Sequence, residues 1–389
     1  MKIAWFSHTA ETNGAELSML EACKGLIERG HQISAILPWT GPLVNLLENI
    51  GAVIYISPYL FWTCSRKPYP SLIQRVRRAA SNYLSGRRLK DVLLQIAPDV
   101  AVTNTITIPS GALAAHWAGI PHIWYIHEFG EEDHGFDYYF GKNYTFGFIR
   151  NYSDRIIVDS DAVFKKFCPF IGKDKLCKIY YAVDIPKSNY REETKGVQTG
   201  TINLIQVGRI IESKKPDDAI RALGILVRKD LDVRLTFLGS ASLDYKTKLE
   251  IIIAEENLTD KITFLPFTEN PAALIRKADV LLMCSRNEAF GRVTVEAMKQ
   301  GLPVVGARSG GTIELIKDGW SGFLYTPDNH EDLAQKIETI YQQRTLLKQM
   351  GDNAHTWANE KFTMGKYVSD LETVFGEVIN NECMQNEMN

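Results

Sequence analysis

The stretch that decides the fold is residues 203–238, which read NLIQVGRIIESKKPDDAIRALGILVRKDLDVRLTFL. Its two ends, residues 203–207 and 233–238, are short apolar runs of the kind found in buried strands. Between them, residues 216–229 carry apolar side chains at the three- and four-residue spacing of an amphipathic helix. A strand, a helix and a second strand in this order predict a parallel pair, because parallel neighbours need a crossover connection.

The same alternation extends through most of the chain. In the first half, the predicted strands are residues 3–7, 32–37, 53–56, 100–103, 122–127 and 155–159. In the second half, they are residues 203–207, 233–238, 261–264, 280–283, 303–306 and 322–325. Further predicted helices include residues 15–29, 245–257 and 293–300. Continuous apolar strands separated by helices imply parallel sheets that are covered on both faces.

A polar stretch, residues 186–200 (PKSNYREETKGVQTG), divides this alternation into two sets of similar size. It has almost no apolar content, so we interpret it as a linker. The sequence thus predicts an α/β protein with a Rossmann-like N-terminal domain (1–185), a linker (186–200), a Rossmann-like C-terminal domain (201–360), and a C-terminal helix and tail (361–389). Two doubly wound domains that face one another would place a ligand in the cleft at the carboxyl ends of their strands.

The composition fits a folded protein and excludes several classes. Of 389 residues, 45% are hydrophobic and 23% are charged, and the net charge is −2. Proteins that bind nucleic acid electrostatically normally carry a clear basic excess, so no nucleic-acid partner is expected. The six cysteines form no C-x-x-C pair, which indicates reduced thiols in a cytoplasmic protein. No apolar run has the length of a secretory leader or a transmembrane helix.

The strongest candidate for a functional site follows the predicted strand 280–283. Glu288 and Glu296 are separated by seven residues, and a helix that starts near Arg292 turns both carboxylates to the same side. The backbone N–H groups of residues 290–294 would then form an anion site, reinforced by the helix dipole. Such a site suits a ligand with hydroxyl groups on both sides of a phosphate, such as a sugar nucleotide. The alternative is a surface helix with Glu296 in a solvated salt bridge.

Two further motifs follow strands of the same half. Arg209 comes after Gly208 at the end of a predicted strand, and Lys214 lies five residues later. Two cations at the carboxyl end of a strand can clamp a diphosphate, although this motif alone is also typical of an exposed turn. Gly310-Gly311 follows another predicted strand and indicates either close approach of the backbone to a ligand or an ordinary turn.

Together, these motifs resemble those of the retaining GT-B glycosyltransferases of family 4, the group 1 glycosyltransferases. The chain contains the family's E-x7-E, G-R-x4-K and G-G-x-x-E motifs as Glu288…Glu296, Gly208-Arg209…Lys214 and Gly310-Gly311…Glu314. In the N-terminal half, the G-G-A-E loop and the acceptor-side histidine are represented by Asn13-Gly14-Ala15-Glu16 and His127-Glu128. The resemblance covers roughly residues 1–360, and it implies the GT-B fold.

The resemblance implies a role for each charged residue of the C-terminal half. Arg209 and Lys214 would hold the donor diphosphate and neutralise the leaving group. Glu296 would bind the ribose hydroxyls, and Glu288 would bind a hydroxyl of the transferred sugar. Fixed cations stabilise the negative charge that develops on the β-phosphate more than they stabilise the ground state. We therefore expect no metal and no cofactor besides the nucleotide-diphosphate sugar, which is the donor substrate.

The resemblance also assigns roles in the N-terminal half and along the backbone. Gly14 and Gly208 would contact the donor. His127 would act as a catalytic residue near the transferred sugar, and it would lie on the acceptor side together with Glu16 and Glu128. The remaining donor contacts are expected from Phe290, Gly291, Arg292 and Val293.

Some features depart from the family's pattern or suggest other chemistry. Asn13 and Ala289 stand where the family usually has glycine, and both would line the sugar site, so the donor sugar stays open. The D-x-D sequences at residues 159–161 and 230–232 are typical of metal-dependent glycosyltransferases. We interpret the first as a strand end followed by a helix N-cap and the second as a turn, with no metal at either.

Residues 61–90 contain eight basic residues and no acidic one. Apolar residues recur at helical spacing from Leu72 to Leu84, and Phe61 and Trp62 lie just upstream. A basic amphipathic helix beside aromatic residues can lie on an anionic membrane surface, here the inner face. The alternatives are a domain helix that buries its apolar stripe, or basic residues that meet an anionic acceptor.

The sequence therefore predicts a cytoplasmic, metal-independent, retaining glycosyltransferase of polysaccharide biosynthesis. It would move a sugar from a nucleotide-diphosphate donor to a hydroxyl of a glycan or a lipid-linked acceptor. Two alternatives remain: a sugar-nucleotide epimerase or hydrolase on the same fold, and a non-catalytic sugar-nucleotide-binding subunit. Base, sugar, acceptor, linkage and oligomeric state are left open.

Overall fold

The computed structural model describes residues 1–65, 68–185, 200–268 and 270–387. Residues 186–199, which make up nearly all of the predicted linker, lie outside the described residues, as do Arg66 and Lys67 of the basic segment. The chain forms two compact units. The first contains Met1–Ala182 and the segment from Thr363 onward, and the second contains Val183–Phe362.

The first unit is built on a parallel sheet of Rossmann type. Its strands are β1 (Lys2–Phe6), β2 (Gln32–Leu37), β3 (Val53–Ile56), β4 (Thr63–Ser65), β5 (Val100–Asn104), β6 (His122–Ile126), β7 (Phe136–Tyr138), β8 (Arg155–Val158) and β9 (Leu176–Lys178). Its first six helices are α1 (Gly14–Glu28), α2 (Pro42–Asn49), α3 (Leu72–Ile96), α4 (Ser110–Ala118), α5 (Lys142–Asn151) and α6 (Asp161–Ile171). The seven-stranded sheet has the order β3-β2-β1-β5-β6-β8-β9, and β4 pairs with β7 in a separate antiparallel ribbon.

The second unit has a six-stranded parallel sheet in the order β12-β11-β10-β13-β14-β15. Its strands are β10 (Ile202–Val207), β11 (Val233–Leu238), β12 (Ile262–Leu265), β13 (Val280–Met283), β14 (Val304–Ala307) and β15 (Gly322–Tyr325). Its helices are α7 (Pro216–Arg228), α8 (Leu243–Glu255), α9 (Ala272–Ile275), α10 (Arg292–Lys299), α11 (Thr312–Leu315), α12 (His330–Gln342) and α13 (Thr345–Lys361). The prediction of an α/β protein with two Rossmann-like sheets is confirmed.

The central apolar strands are buried on both faces, as their continuous sequence pattern predicts, whereas the edge strands β3 and β12 are only partly buried. Every residue of β5 and of β13 is buried. Because successive side chains of a strand point to opposite faces, this burial requires a layer of helices on each side of the sheet. All twelve predicted strands form, each within one residue of its predicted ends. The three strands that the pattern misses, β4, β7 and β9, have three residues each, too few to show a period.

The order of strands in the second sheet reverses between β10 and β13. The chain builds β11 and β12 on one side of β10, and β13 to β15 on the other side. Leu204 of β10 pairs directly with Val280 of β13. In doubly wound sheets, ligands bind at the carboxyl ends of the strands at such a switch point. The loops after β10 and β13 are therefore the expected place for a ligand of this unit.

The helix after the second unit, α14 (Met364–Glu387), belongs to the first unit. It packs so closely on α1 that a β-carbon added to Gly25 would lie 2.4 Å from the Val368 side chain. Arg29 also donates a hydrogen bond of 2.9 Å to Ser369. The predicted division places residues 361–389 outside both domains, whereas in the structure the segment from Thr363 onward groups with the first unit.

Helix α3 has a well-defined start and an exposed first half. Ser71 and Gln74 form a capping box at its N-terminus. Leu72, Ile73 and Val76 are 76%, 65% and 60% exposed, so this part of the helix does not bury its apolar stripe in the unit. Within the described part of the chain, no helix has the length and apolar content needed to cross a bilayer.

Candidate functional site

The switch point of the second sheet brings two predicted site residues into contact. Lys214 ends a 3-10 turn (Glu212–Lys214) after β10, and Glu288 lies in the loop after β13. The Lys214 ammonium is 2.6 Å from a Glu288 carboxylate oxygen. The buried Gln206 side chain donates a 2.7 Å hydrogen bond to the Lys214 carbonyl and so fixes the turn. Sequence reasoning missed Gln206, whose one signal is a polar side chain inside an apolar strand.

Gly208 and Arg209 follow β10 in an unusual backbone conformation. Gly208 has φ +127°, a conformation that L side chains rarely adopt. Its N–H donates to the Leu238 carbonyl at 2.9 Å, and its carbonyl would be 1.9 Å from a β-carbon added to Gly239. These two glycines let the ends of β10 and β11 approach each other. The exposed Arg209 side chain projects from this crowded edge.

The double glycine Gly310-Gly311 packs closely against the loop that carries Glu288. Gly311 donates its N–H to the Glu288 carbonyl at 2.7 Å. Added β-carbons would lie 2.4 Å from the Glu288 carbonyl oxygen at Gly310, and 2.2 Å from the Ala289 carbonyl oxygen at Gly311. The glycines are therefore required by their packing against the loop that carries Glu288, and close approach of this backbone to a ligand stays a prediction.

Helix α10 starts where the sequence predicts, at Arg292, with Gly291 as its N-cap residue at φ +94°. Among the described residues, no side chain caps this helix start. The predicted set of anion-binding N–H groups must be shortened by one, because the Thr294 N–H already donates to the Gly291 carbonyl at 2.9 Å. Val293 lies in the first helical turn, and Phe290 is buried against Phe362.

Glu296 lies one turn into α10, as predicted. Its carboxylate accepts a 3.0 Å hydrogen bond from Nε of Arg292. The two side chains are only 15% and 16% exposed, so this is not the solvated salt bridge of the alternative interpretation. Arg292 therefore has a side-chain task, namely to hold Glu296, in addition to any contact that its backbone makes.

A cavity of about 240 Å³ lies at the carboxyl ends of β11 and β12. Its walls combine ring, aliphatic and backbone surfaces next to the Gly208–Gly239 contact. The lining residues include Ile210, Gly239, Lys246, Phe264, Leu265 and Pro266. The sequence alone does not reveal this cavity, because its walls come from separate stretches of the chain that include a loop at Ile210, helix α8 and the end of β12.

In the first unit, the loop after β1 surrounds a buried carboxylate. Gly14 is the first residue of α1, and no atom of the described residues lies within 4 Å of a β-carbon added to it. Glu16 is fully buried. Its Oε1 accepts from the Thr9 hydroxyl and lies 3.3 Å from Nε2 of His8. Glu16, predicted on the acceptor side, is therefore buried with these two groups.

His127 and Glu128 are also buried, at 9% and 4% exposure. The His127 ring contacts the Tyr181 hydroxyl through Nδ1 and Asn104 Oδ1 through Nε2, the latter at 2.6 Å. Burial, with a contribution from nearby His8, lowers the pKa of His127 to about 3. Both ring nitrogens of the predicted catalytic histidine are therefore engaged, and burial disfavours its charged form.

Glu128 organises the surrounding loop. Its two carboxylate oxygens accept hydrogen bonds from the backbone N–H groups of Ile106 and His127, at 2.7 and 2.9 Å. Burial raises the pKa of Glu128 to about 8. This carboxyl group, predicted on the acceptor side, thus holds the chain after β5 against the end of β6.

Asn104 was missed by sequence reasoning although it connects two predicted motifs. Its amide donates to the Ala15 carbonyl at 3.1 Å, and its oxygen contacts His127. The signal was a polar residue at the end of a buried strand.

The first D-x-D sequence forms the predicted N-cap, since the Ser160 side chain accepts from the Val163 N–H at 3.1 Å. Among the side chains that the structure describes, no group of three or more His, Cys, Asp or Glu could hold a metal ion.

Comparisons with known proteins agree with this architecture. The profile described as "Glycosyltransferase Family 4" matches residues 12–186, and the profile described as "Glycosyl transferases group 1" matches residues 190–357. A solved structure of HepE from Anabaena, in complex with UDP and glucose, superposes with a TM-score of 0.79. It is 23% identical and covers 97% of this chain and 100% of its own. At this identity, the likeness shows the fold, which is that of the GT-B glycosyltransferases.

Curated relatives share parts of the sequence. A D-inositol 3-phosphate glycosyltransferase of Pseudarthrobacter chlorophenolicus is 37% identical over 160 residues, which are 40% of this chain and 38% of that protein. Across several such glycosyltransferases, the chain spans 36% to 54% of their length. An uncharacterized glycosyltransferase of Methanocaldococcus jannaschii is 30% identical over 275 residues, 69% of this chain and 72% of that protein. The chain belongs to the group 1 glycosyltransferases of the GT-B fold.

Proposed function

We propose that this glycosyltransferase moves a sugar from a nucleotide-diphosphate donor to a hydroxyl group, with retention of the anomeric configuration and without a metal. The observation that carries this proposal is the contact of 2.6 Å between Lys214 and Glu288 at the switch point of the second sheet. A cation that can bind the diphosphate thus lies next to a carboxylate that can bind the sugar. This arrangement suits a substrate in which the sugar and the diphosphate are joined by the bond that breaks.

The proposed chemistry follows from the charges that develop when this bond breaks. Negative charge grows on the β-phosphate, and positive charge grows on the anomeric carbon. Arg209 and Lys214 stabilise the departing diphosphate, together with backbone N–H groups at the start of α10. Positive charges and N–H donors at this position interact more strongly with the departing diphosphate than with the ground state, so they favour the transition state. Lys214 exchanges its contact with Glu288 for the phosphate, which leaves Glu288 to accept from a sugar hydroxyl.

The ribose and the base of the donor would bind next to the diphosphate, at Glu296 and in the cavity at the ends of β11 and β12. Glu296, held by Arg292, accepts from the ribose hydroxyls. The cavity at the ends of β11 and β12 takes the base, because a nucleotide bound at a switch point extends along the carboxyl edge of the sheet. The HepE structure, which contains UDP and glucose on the same fold, supports a donor of this chemical class.

For the acceptor, we propose a hydroxyl of a glycan or of a lipid-linked molecule. The relatives that act on D-inositol 3-phosphate support a polyhydroxylated acceptor. Exposed apolar and basic residues on the first half of α3 support peripheral contact with an anionic membrane on the cytoplasmic side, where a lipid-linked acceptor would be located.

The deciding experiment has two steps. Thermal unfolding is first measured with UDP-, GDP- and ADP-sugars, because a ligand that binds the folded state raises the unfolding temperature. Transfer from the selected donor is then measured for the wild type and for an Arg209→Ala, Lys214→Ala double variant. Normal transfer by the double variant would refute the diphosphate role. The anomeric configuration of the product, read by NMR, decides between retention and inversion.

The alternative reaction on the same fold has a simple signature. An epimerase or a hydrolase consumes the sugar nucleotide without an acceptor. Incubation with donor alone therefore separates the two activities: fast turnover favours the alternative, and slow turnover that an acceptor accelerates favours transfer. Addition of a chelator to the same assay tests independence from metal.

A further inference from the structure

The side chain of Thr294 carries a buried hydroxyl that has no hydrogen-bond partner among the described residues. Thr294 lies in the first turn of α10 and is fully buried, and so is its Oγ1 atom. A threonine inside a helix often bonds back to the carbonyl one turn earlier, but this one does not. A hydroxyl that leaves water without a new partner is unfavourable, so its presence in a native structure calls for a reason.

The Thr294 hydroxyl borders the same small space as the Glu288 side chain. Between them lies Gly291, where an added β-carbon would be 3.4 Å from Thr294 Oγ1 and 3.2 Å from Glu288 Cγ. The third atom near this point is a methyl carbon of Leu315 at 3.5 Å, which can neither donate nor accept a hydrogen bond. Because the Glu288 carboxyl group is bonded to Cγ, a rotation of this side chain can bring one of its oxygens to the hydroxyl.

The two groups are chemically matched for a hydrogen bond in one direction. A carboxylate accepts through about four lone-pair sites and does not donate, whereas a hydroxyl can donate. In the structure, Glu288 accepts from the Lys214 ammonium at 2.6 Å. When Lys214 leaves this contact for the diphosphate, the carboxylate loses a charged donor at the moment when the sugar binds. The hydroxyl of Thr294 is close to Glu288 and is not used elsewhere.

We propose that Thr294 is a positioning residue for Glu288, and that its hydroxyl donates to the Glu288 carboxylate when Lys214 turns to the diphosphate. The inference rests on the proposed function, because it is the diphosphate that draws Lys214 away. The new hydrogen bond holds one carboxylate oxygen, so the other keeps its orientation toward a hydroxyl of the sugar. The unpaired hydroxyl is thus a feature of the free protein, and it gains its partner when the donor binds.

The direct test needs no donor, because a variant can remove the ammonium. Lys214→Met keeps most of the aliphatic stem, and Thr294→Val replaces the hydroxyl by a methyl group of similar shape. In the full chain with Lys214 present, Thr294→Val should leave the unfolding temperature unchanged or raise it, since no hydrogen bond is lost. In the Lys214→Met background, it should lower the unfolding temperature by about 2–4 °C, because the hydroxyl is then bonded to Glu288.

The matched control is Thr312→Val. Thr312 is fully buried in the same unit, and its hydroxyl also lacks a partner among the described side chains and backbone groups. The effect of this control should be the same with and without the Lys214 ammonium. Equal shifts for Thr294→Val in the two backgrounds, whatever their sign, would overturn the proposal, because Thr294 would then act independently of the Lys214–Glu288 contact. The comparison contains no donor, so it can fail while the proposed function stands.

Transfer kinetics test the role of Thr294 in the reaction. Thr294→Val should lower kcat by about tenfold and change KM much less, and Thr294→Ser, which keeps the hydroxyl, should restore most of the rate. In a Glu288→Ala background, Thr294→Val should lower kcat no further, since both residues act through one carboxylate. A normal kcat for Thr294→Val would overturn the proposal even if Lys214→Met does not fold. Normal transfer by the Arg209→Ala, Lys214→Ala double variant would instead refute the proposed function.

Discussion

The Lys214 ammonium lies 2.6 Å from a carboxylate oxygen of Glu288, although the two residues are 74 positions apart in the sequence. The contact exists because β10 and β13 are neighbours in the sheet, so the loops that follow them start side by side. Gln206 fixes the Lys214 end, and Gly311 fixes the Glu288 end. Two motifs that look unrelated in the sequence therefore form one site.

Replacement of Lys214 by alanine should lower the transfer rate by about a hundredfold to a thousandfold, the usual effect of removing one preorganised group that stabilises developing negative charge. The measurement is kcat with the donor selected by the thermal screen. The control is Lys229→Ala, which removes an ion pair of the same length, 2.6 Å to Glu338, from the C-terminal end of α7. That variant should transfer at the normal rate, and equal loss in both variants would contradict the role of Lys214.

Replacement of Gly311 by alanine should destabilise the protein by about 1–3 kcal/mol, since the added β-carbon would press on the Ala289 carbonyl oxygen. The displaced Glu288 loop should also weaken donor binding. Urea unfolding and calorimetry measure the two effects. The control is Gly147→Ala in α5, where an added β-carbon meets nothing within 4 Å. This control should stabilise by about 0.5–1 kcal/mol, so an unchanged stability of Gly311→Ala would refute the packing argument.

Acid should destabilise the protein through His122. This histidine is buried beside the Thr103 hydroxyl at 2.8 Å, and burial lowers its pKa to about 3. Below about pH 6.5 the unfolded chain binds a proton at this ring and the folded chain does not, so stability falls with pH until the folded pKa is reached. His122→Gln should therefore reduce the slope of unfolding free energy against pH by up to about 1.4 kcal/mol per unit.

Urea unfolding between about pH 6 and about pH 4 gives this slope. The variant also loses unfolding free energy because the contact with Thr103 is broken. This loss is the same at each pH, so it does not change the slope. The control is His134→Gln, since His134 is 41% exposed and meets water in both states. A slope for His122→Gln that matches the wild type would show that His122 is not held neutral.

Membrane contact through α3 predicts that Leu72→Glu with Val76→Glu abolishes binding to vesicles that contain phosphatidylglycerol. Both side chains are mostly exposed, so the change should leave folding intact. Sedimentation with vesicles gives the bound fraction, and phosphatidylcholine vesicles and high salt test the electrostatic part. The control is Leu243→Glu in the second unit, a leucine that is 79% exposed. Equal binding of the double variant and the wild type would exclude this surface.

The sequence predicts the elements of this fold well, because parallel strands buried on both faces are continuous apolar runs. It also predicts the helix start at Arg292, since the apolar pattern begins there. It does not reveal Gln206 and Asn104, because a polar residue at a strand end indicates its partner only after the strands are ordered. For the same reason, the sequence leaves open whether Gly310-Gly311 meets a ligand or forms a turn, whereas the structure shows that the pair packs against the protein's own backbone.

The packing of α14 on α1 bears on how the protein is made. The N-terminus of a chain emerges from the ribosome first, and domains generally fold as they emerge. Here helix α14, which covers the first unit, is synthesised only after the second unit, so the second unit can finish folding before the first. Until Val368 docks beside Gly25, the nascent protein exposes an apolar surface on α1. A stop codon shortly after Phe362 would leave that surface bare permanently, and we expect such a fragment to require chaperones or to aggregate.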